Sequence, residues 1–135
     1  MAEARQTVER PLSPHLSIDR PLINMVMSIL DRLTGAALYV GTLLLAAWLI
    51  AAAMGEAQFD FVNGLFGHPI GKLVLFGYTW ALAHHMLGGM RHLVWDTGRG
   101  FKIGQVNALS WLTIICSVAL TLAIWAVGLM LRGGL

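Results

Sequence analysis

Apolar residues in this chain fall in three long runs separated by short polar stretches. No charged residue occurs from Leu33 to Gly55, from Leu73 to Met90, or from Ile103 to Leu131. At 1.5 Å per residue the first run reaches about 34 Å, against a bilayer hydrocarbon core of about 30 Å. The second run is near the minimum length for crossing. The runs are continuous rather than alternating, which favours helices over a β-barrel.

The pattern predicts an all-α integral membrane protein with three transmembrane helices, over about 24–54, 71–92 and 103–131. Residues 1–23 form a polar N-terminal arm, and 24–135 the membrane domain. Pro11, Pro14 and Pro21 oppose a long helix in the arm, leaving an extended segment or a disordered tail. Residues 54–71 hold Gly, Asn, Pro and two acids. They predict an external loop with a short interfacial turn near Phe59 to Phe66. A second loop is expected from Arg91 to Lys102.

Charge sets the orientation. Arg5, Arg10, Arg20, Arg32, Arg91, Arg99 and Lys102 lie before the first run or between the second and third. Lys72 and Arg132 are the two cations at the other end, out of nine in all. Cationic loops stay cytoplasmic, so the N-terminus and second loop are expected inside. Composition agrees with a membrane setting: 57% hydrophobic, 12% charged, mean hydropathy +0.70. A net charge of +2 gives no case for nucleic acid. The polar N-terminus has no signal-peptide core, so the first span itself directs insertion. Cys116 stands alone, which excludes an intrachain disulfide and a cysteine-based metal site.

The candidate chemistry lies in the second span, where His84 and His85 are adjacent. An ionisable group at membrane depth is a functional candidate by default. The two rings point about 100° apart on a helix, so they cannot serve one iron from the same side. One turn away from His85 lie Ala81, Leu82, Gly88 and Gly89; around His84 lie Trp80, Ala81, Leu87 and Gly88. A porphyrin against a helix needs small neighbours, which favours His85 as axial ligand of a haem b. Hydrogen bonding of both histidines between closely packed helices is the other reading. Covalent haem attachment is excluded, because Cys-x-x-Cys-His is absent. His92 lies two turns, about 10 Å, from His85, so both cannot bind one iron. A six-coordinate haem then needs a histidine from another subunit.

Asn24, Ser28 and Arg32 recur every fourth residue where the first span enters the membrane, and Gly35 and Tyr39 continue that face. Such a face suits a quinone carbonyl or a haem propionate, or lets an arginine snorkel to lipid phosphate. Asp31 beside it reads as an acid near a helix N-terminus. Thr113, Ser117 and Thr121, four apart, read as helix-contact residues rather than a proton path.

Three segments, RPLSPHLSIDR at 10–20, SILDRLTG at 28–35 and HHMLGGMRHLVWDTG at 84–98, resemble the cytochrome b membrane anchor of succinate dehydrogenase. The likeness covers nearly the whole chain, in the right order. It implies His85 as haem ligand, seven residues before His92, and Ser28 and Arg32 as quinone-site residues. Arg32, Arg91, His92 and Asp31 become candidates for haem propionates or subunit contacts. Two departures stand out. Asp31 occupies the place of a family histidine, where an acid repels propionates unless protonated or turned away. Asp19 replaces a tyrosine in the arm.

The resemblance also implies a haem b shared with a second, smaller membrane subunit, and ubiquinone as substrate. A flavoprotein and an iron–sulfur subunit complete the assembly. The location is a bacterial inner membrane or its mitochondrial equivalent. The chain is not catalytic alone. A fumarate reductase anchor, a haem-free structural anchor and a small transporter are the alternatives. The last expects intramembrane acids or broken helices.

Overall fold

A computed structural model describes residues 10–13, 15 and 18–133. Among these the chain forms four α-helices and no strand: α1 (Ile23–Met54), α2 (Glu56–Gly67), α3 (Pro69–Asp96) and α4 (Ile103–Leu131). About half of the expected arm over 1–23 lies outside the described residues, Pro14 included. In its described part the N–H groups of Ile18 and Asp19 donate to the His15 carbonyl at 2.9 and 2.7 Å.

The helix boundaries have local causes. α1 stops at Gly55, whose φ of 124° favours glycine, and the chain re-enters a helix at Glu56. Glu56 sits in the first turn of α2, where an acid complements the helix dipole. The segment expected as a loop is therefore a twelve-residue helix. Trp48 Nε1 donates to Asn63 Oδ1 at 3.0 Å and its ring meets Phe59 at 5.7 Å, fastening α2 to α1. α3 begins where His68 Nδ1 accepts from the Ile70 N–H at 3.3 Å, with Pro69 at the first helical position. It runs on through Arg91 to Asp96, past the expected end of the span. The second loop is thereby reduced to 97–102.

α3 packs between α1 and α4, α1 also touches α4, and α2 folds against α1 and α3. Gly41 on α1 leaves space that the Tyr78 ring of α3 fills; any side chain at 41 would collide with it. The α3–α4 seam is built from small polar groups. Ser110, Thr113, Ser117 and Thr121 are all buried, and each hydroxyl donates to a carbonyl three or four residues earlier in α4. Their small size lets the two backbones approach, as between membrane helices.

Inside and outside are reversed relative to a water-soluble bundle. Among the described residues Met27, Ala51, Ala81 and Ala83 are the buried apolar side chains, whereas Leu43, Leu49, Ile115 and Leu122 are more than half exposed. Water would penalise such a surface, while lipid solvates it. α1 and α4 are long and apolar enough to cross a membrane, with hydropathies of 2.1 and 2.5 in their most apolar windows. α3 does not meet that measure. Its length suffices, but Lys72, His84, His85, Arg91 and His92 lower its hydropathy.

Candidate functional site

The two adjacent histidines of α3 occupy different environments. His84 is fully buried in the seam with α4. Its Nδ1 lies 3.2 Å from Ser117 Oγ. The Ser117 hydroxyl already donates to the Ile114 carbonyl at 2.8 Å, so the ring N–H is the donor to Ser117. Trp80 covers the ring at 5.1 Å, and Nε2 is buried without a partner among the described residues.

His85 faces the open side of the α1–α3 pair. Its Nδ1 lies 3.2 Å from the Asp31 carbonyl and 3.3 Å from Thr34 Oγ1. A carbonyl only accepts, so Nδ1 carries the proton. The lone pair is then on Nε2, which takes no hydrogen bond among the described residues. A metal-bound imidazole is held in this way, with one ring nitrogen donating to a main-chain carbonyl and the other free for the metal. The ring lies against Gly35 of α1, where an added Cβ would come within 3.1 Å of Cε1.

The small residues around His85 divide their work. Gly88 makes room for Asp31 Oδ1, and Ala81 is buried between helices. Beside Gly89 the helix surface is open. Clearance for a flat ligand therefore comes from Gly89, whereas Gly35 admits the His85 ring and Gly88 admits Asp31. Among the described residues no three His, Cys, Asp or Glu side chains gather as a metal centre. The donor set thus suits a prosthetic group that brings its own equatorial nitrogens and needs one axial ligand from this chain.

Asp31 binds α3 a second time, through its carboxylate. Oδ2 lies 2.9 Å from Arg91 Nη2 and 3.5 Å from His92 Nε2. Asp31 sits more than two turns inside α1, so its partner is Arg91 rather than the helix N-terminus. The Arg91 side chain is only 4% exposed. It lies over the Trp95 ring at 5.0 Å and makes a long 3.5 Å contact to Ser110 Oγ. Ser110 Oγ in turn lies 2.9 Å from the Asn24 side-chain amide. The acid is therefore turned inward, and Arg91 is enclosed with it. His92, with its side chain 58% exposed, keeps an outward surface.

The α1 stripe splits accordingly. Asn24 turns into the bundle, whereas Ser28, Arg32 and Tyr39 are exposed. Ser28 and Gly35 are seven residues apart, so they share one stripe about 10 Å along the helix. Ser28 and Arg32 thus continue the face on which His85 rests. Sequence reasoning missed Thr34 and the Asp31 carbonyl as partners of His85. It also missed the Arg91 pairing, although one acid and one arginine flanking membrane runs already required some counter-charge.

Residues 6–124 match the family described as succinate dehydrogenase/fumarate reductase transmembrane subunit. The chain is 39% identical to the succinate dehydrogenase cytochrome b556 subunit of Rickettsia felis, over 93% of this chain and 99% of that one. It is 40% identical to the cytochrome b556 subunit of Paracoccus denitrificans, over 82% and 85%. It is 39% identical to the mitochondrial cytochrome b560 subunit of Bos taurus, over 84% and 71%.

Asp31→Ala leaves a buried guanidinium unpaired and should destabilise the folded protein by about 3–5 kcal/mol. Replacing both partners (Asp31→Leu with Arg91→Met) should recover most of that loss. Thermal unfolding of the purified assembly checks both. Equal stability of Asp31→Ala and the parent would rule out the pair as the α1–α3 clamp.

Proposed function

The chain belongs to the succinate dehydrogenase/fumarate reductase transmembrane subunit family, and on that basis we propose a cytochrome b anchor that delivers electrons to ubiquinone. In this reading α1, α3 and α4 cross the inner membrane, with the N-terminus and the 97–102 loop in the cytoplasm. α2 rests at the external interface. The distribution of cations supports that orientation. α3 is the least apolar span, and two of its polar groups find partners inside the bundle: His84 Nδ1 at Ser117 and Arg91 Nη2 at Asp31.

The observation that carries the reading is the state of His85. Its Nδ1 proton is engaged by the Asp31 carbonyl, its Nε2 takes no hydrogen bond among the described residues, and the residue itself is exposed. His85 would be this chain's ligand to a haem b, and a second, smaller membrane subunit would supply another histidine. The haem would supply a one-electron carrier. The Asp31 carbonyl and Thr34 fix the ring's rotation and tautomer. Gly35 lets the ring approach α1, and Trp80 with Ser117 withholds His84 from the same role.

Arg32 and Ser28 stand exposed on the continuation of that face. Both can donate hydrogen bonds to a quinone carbonyl oxygen. The guanidinium is always charged, so its bond strengthens as negative charge grows on that oxygen during reduction. Arg32 and the outward edge of His92 also remain available to haem propionates, whereas Arg91 is committed to Asp31. Electrons would arrive from an iron–sulfur subunit fed by a flavoprotein that oxidises succinate. The relatives' names favour succinate oxidation over fumarate reduction as the working direction.

His85→Ala should abolish or severely disturb the b-type α band in a reduced-minus-oxidised spectrum of the purified complex, and His84→Ala should leave most of it. The reverse pattern would overturn the assignment, and no band in the parent would favour a haem-free anchor. Arg32→Leu should lower succinate:quinone reductase activity at least about tenfold, the loss of one charge-assisted bond. Succinate oxidation with a soluble dye should survive. Normal quinone reduction in that variant would remove Arg32 from the site.

A further inference from the structure

The fold holds a second polar–apolar arrangement at the end of the bundle away from Arg91. A cavity of about 700 Å³ opens between α1, α2, α3 and α4. Leu44, Leu45, Leu75 and Leu129 line it, together with Trp48 and Trp125. Its volume falls within the range of small-molecule sites.

Lys72 and Arg132 also line this cavity. They are the two cations, of nine in the chain, that fall outside the arm, the first turns of α1 and the segment from Arg91 to Lys102. They come from different helix ends, at the start of α3 and just past α4, yet they line one cavity. Neither has a carboxylate partner among the described residues. The nearest acids in sequence, Glu56 and Asp60 on α2, do not line the cavity. Two unpaired cations beside an apolar chamber call for a ligand that is anionic at one end and aliphatic beyond it.

We propose that this cavity binds an anionic phospholipid, its phosphate paired with Lys72 and Arg132 and an acyl chain lying among the leucines and tryptophans. The chemistry of the site supports each half of the ligand. Trp48, bonded to Asn63 of α2, and Trp125, about two turns before Arg132, suit a site near a membrane–water interface, where a headgroup resides. Each cation near a membrane surface contributes about 1 kcal/mol of attraction for an anionic headgroup. The site shares no residue with the His85 face, so it stands or falls independently of the haem assignment.

The test uses the intact complex, solubilised in mild detergent and incubated with phosphatidylglycerol or phosphatidylcholine, with retained lipid counted by native mass spectrometry. The parent should retain phosphatidylglycerol in preference. Lys72→Gln combined with Arg132→Gln, both exposed positions, should reduce phosphatidylglycerol retention by roughly 10- to 30-fold and leave phosphatidylcholine unchanged. Leu45→Trp, which fills the apolar part without touching either cation, should displace both lipids. Undiminished phosphatidylglycerol retention in the double variant overturns the proposal. So does a stoichiometric quinone that co-purifies with the parent and is lost in Leu45→Trp.

Discussion

Asp31 joins α1 to α3 by two unlike bonds. Its carboxylate meets Arg91, and its main-chain carbonyl meets His85. In a low-dielectric bundle neither charge could be enclosed alone, since breaking such a pair costs several kcal/mol. The pair therefore fixes which faces of α1 and α3 meet. Once they meet, the Asp31 carbonyl is brought to the ring of His85, and Gly35 and Gly88 provide the clearance the contact requires. The orientation of the candidate ligand is a consequence of how an arginine is neutralised one and a half turns further along α3.

That arrangement accounts for the family departure at residue 31. An acid on the outer face would oppose haem propionates. Here the carboxylate is turned onto Arg91 and remains mostly buried, so the outer face keeps Arg32 and the edge of His92. The adjacent histidines are divided by the same logic. His84 is enclosed by Trp80 and Ser117, and the small hydroxyl residues of α4 close that seam. Both rings hydrogen-bond between helices, His84 to Ser117 of α4 and His85 to the Asp31 carbonyl of α1, but only His85 also keeps an exposed face.

The long apolar runs made the helices legible, because an uncharged stretch of membrane length has few other folds. α2 was not legible as a helix, since Gly55, Gly64, Gly67 and Pro69 read as loop formers. In the structure Gly55, Gly67 and Pro69 sit at helix boundaries, and the Trp48 contacts hold the segment between them. The end of α3 was misplaced because Arg91 looked like a solvated loop residue. Its charge is cancelled by a residue sixty positions away, which local pattern does not reveal. The preference for His85 rested on small neighbours, yet Gly88 serves Asp31 rather than an open surface. Thr34 and the Asp31 carbonyl carried no local signal, because a main-chain acceptor becomes specific only when two helices are brought into register.

A structure of the assembled complex with its membrane partner tests the central claim most directly. The account predicts iron bonded to His85 Nε2, with the opposite ring nitrogen still donating to the carbonyl of Asp31. A His85 ring packed against lipid or plain protein atoms, or iron bonded to His84, would contradict it.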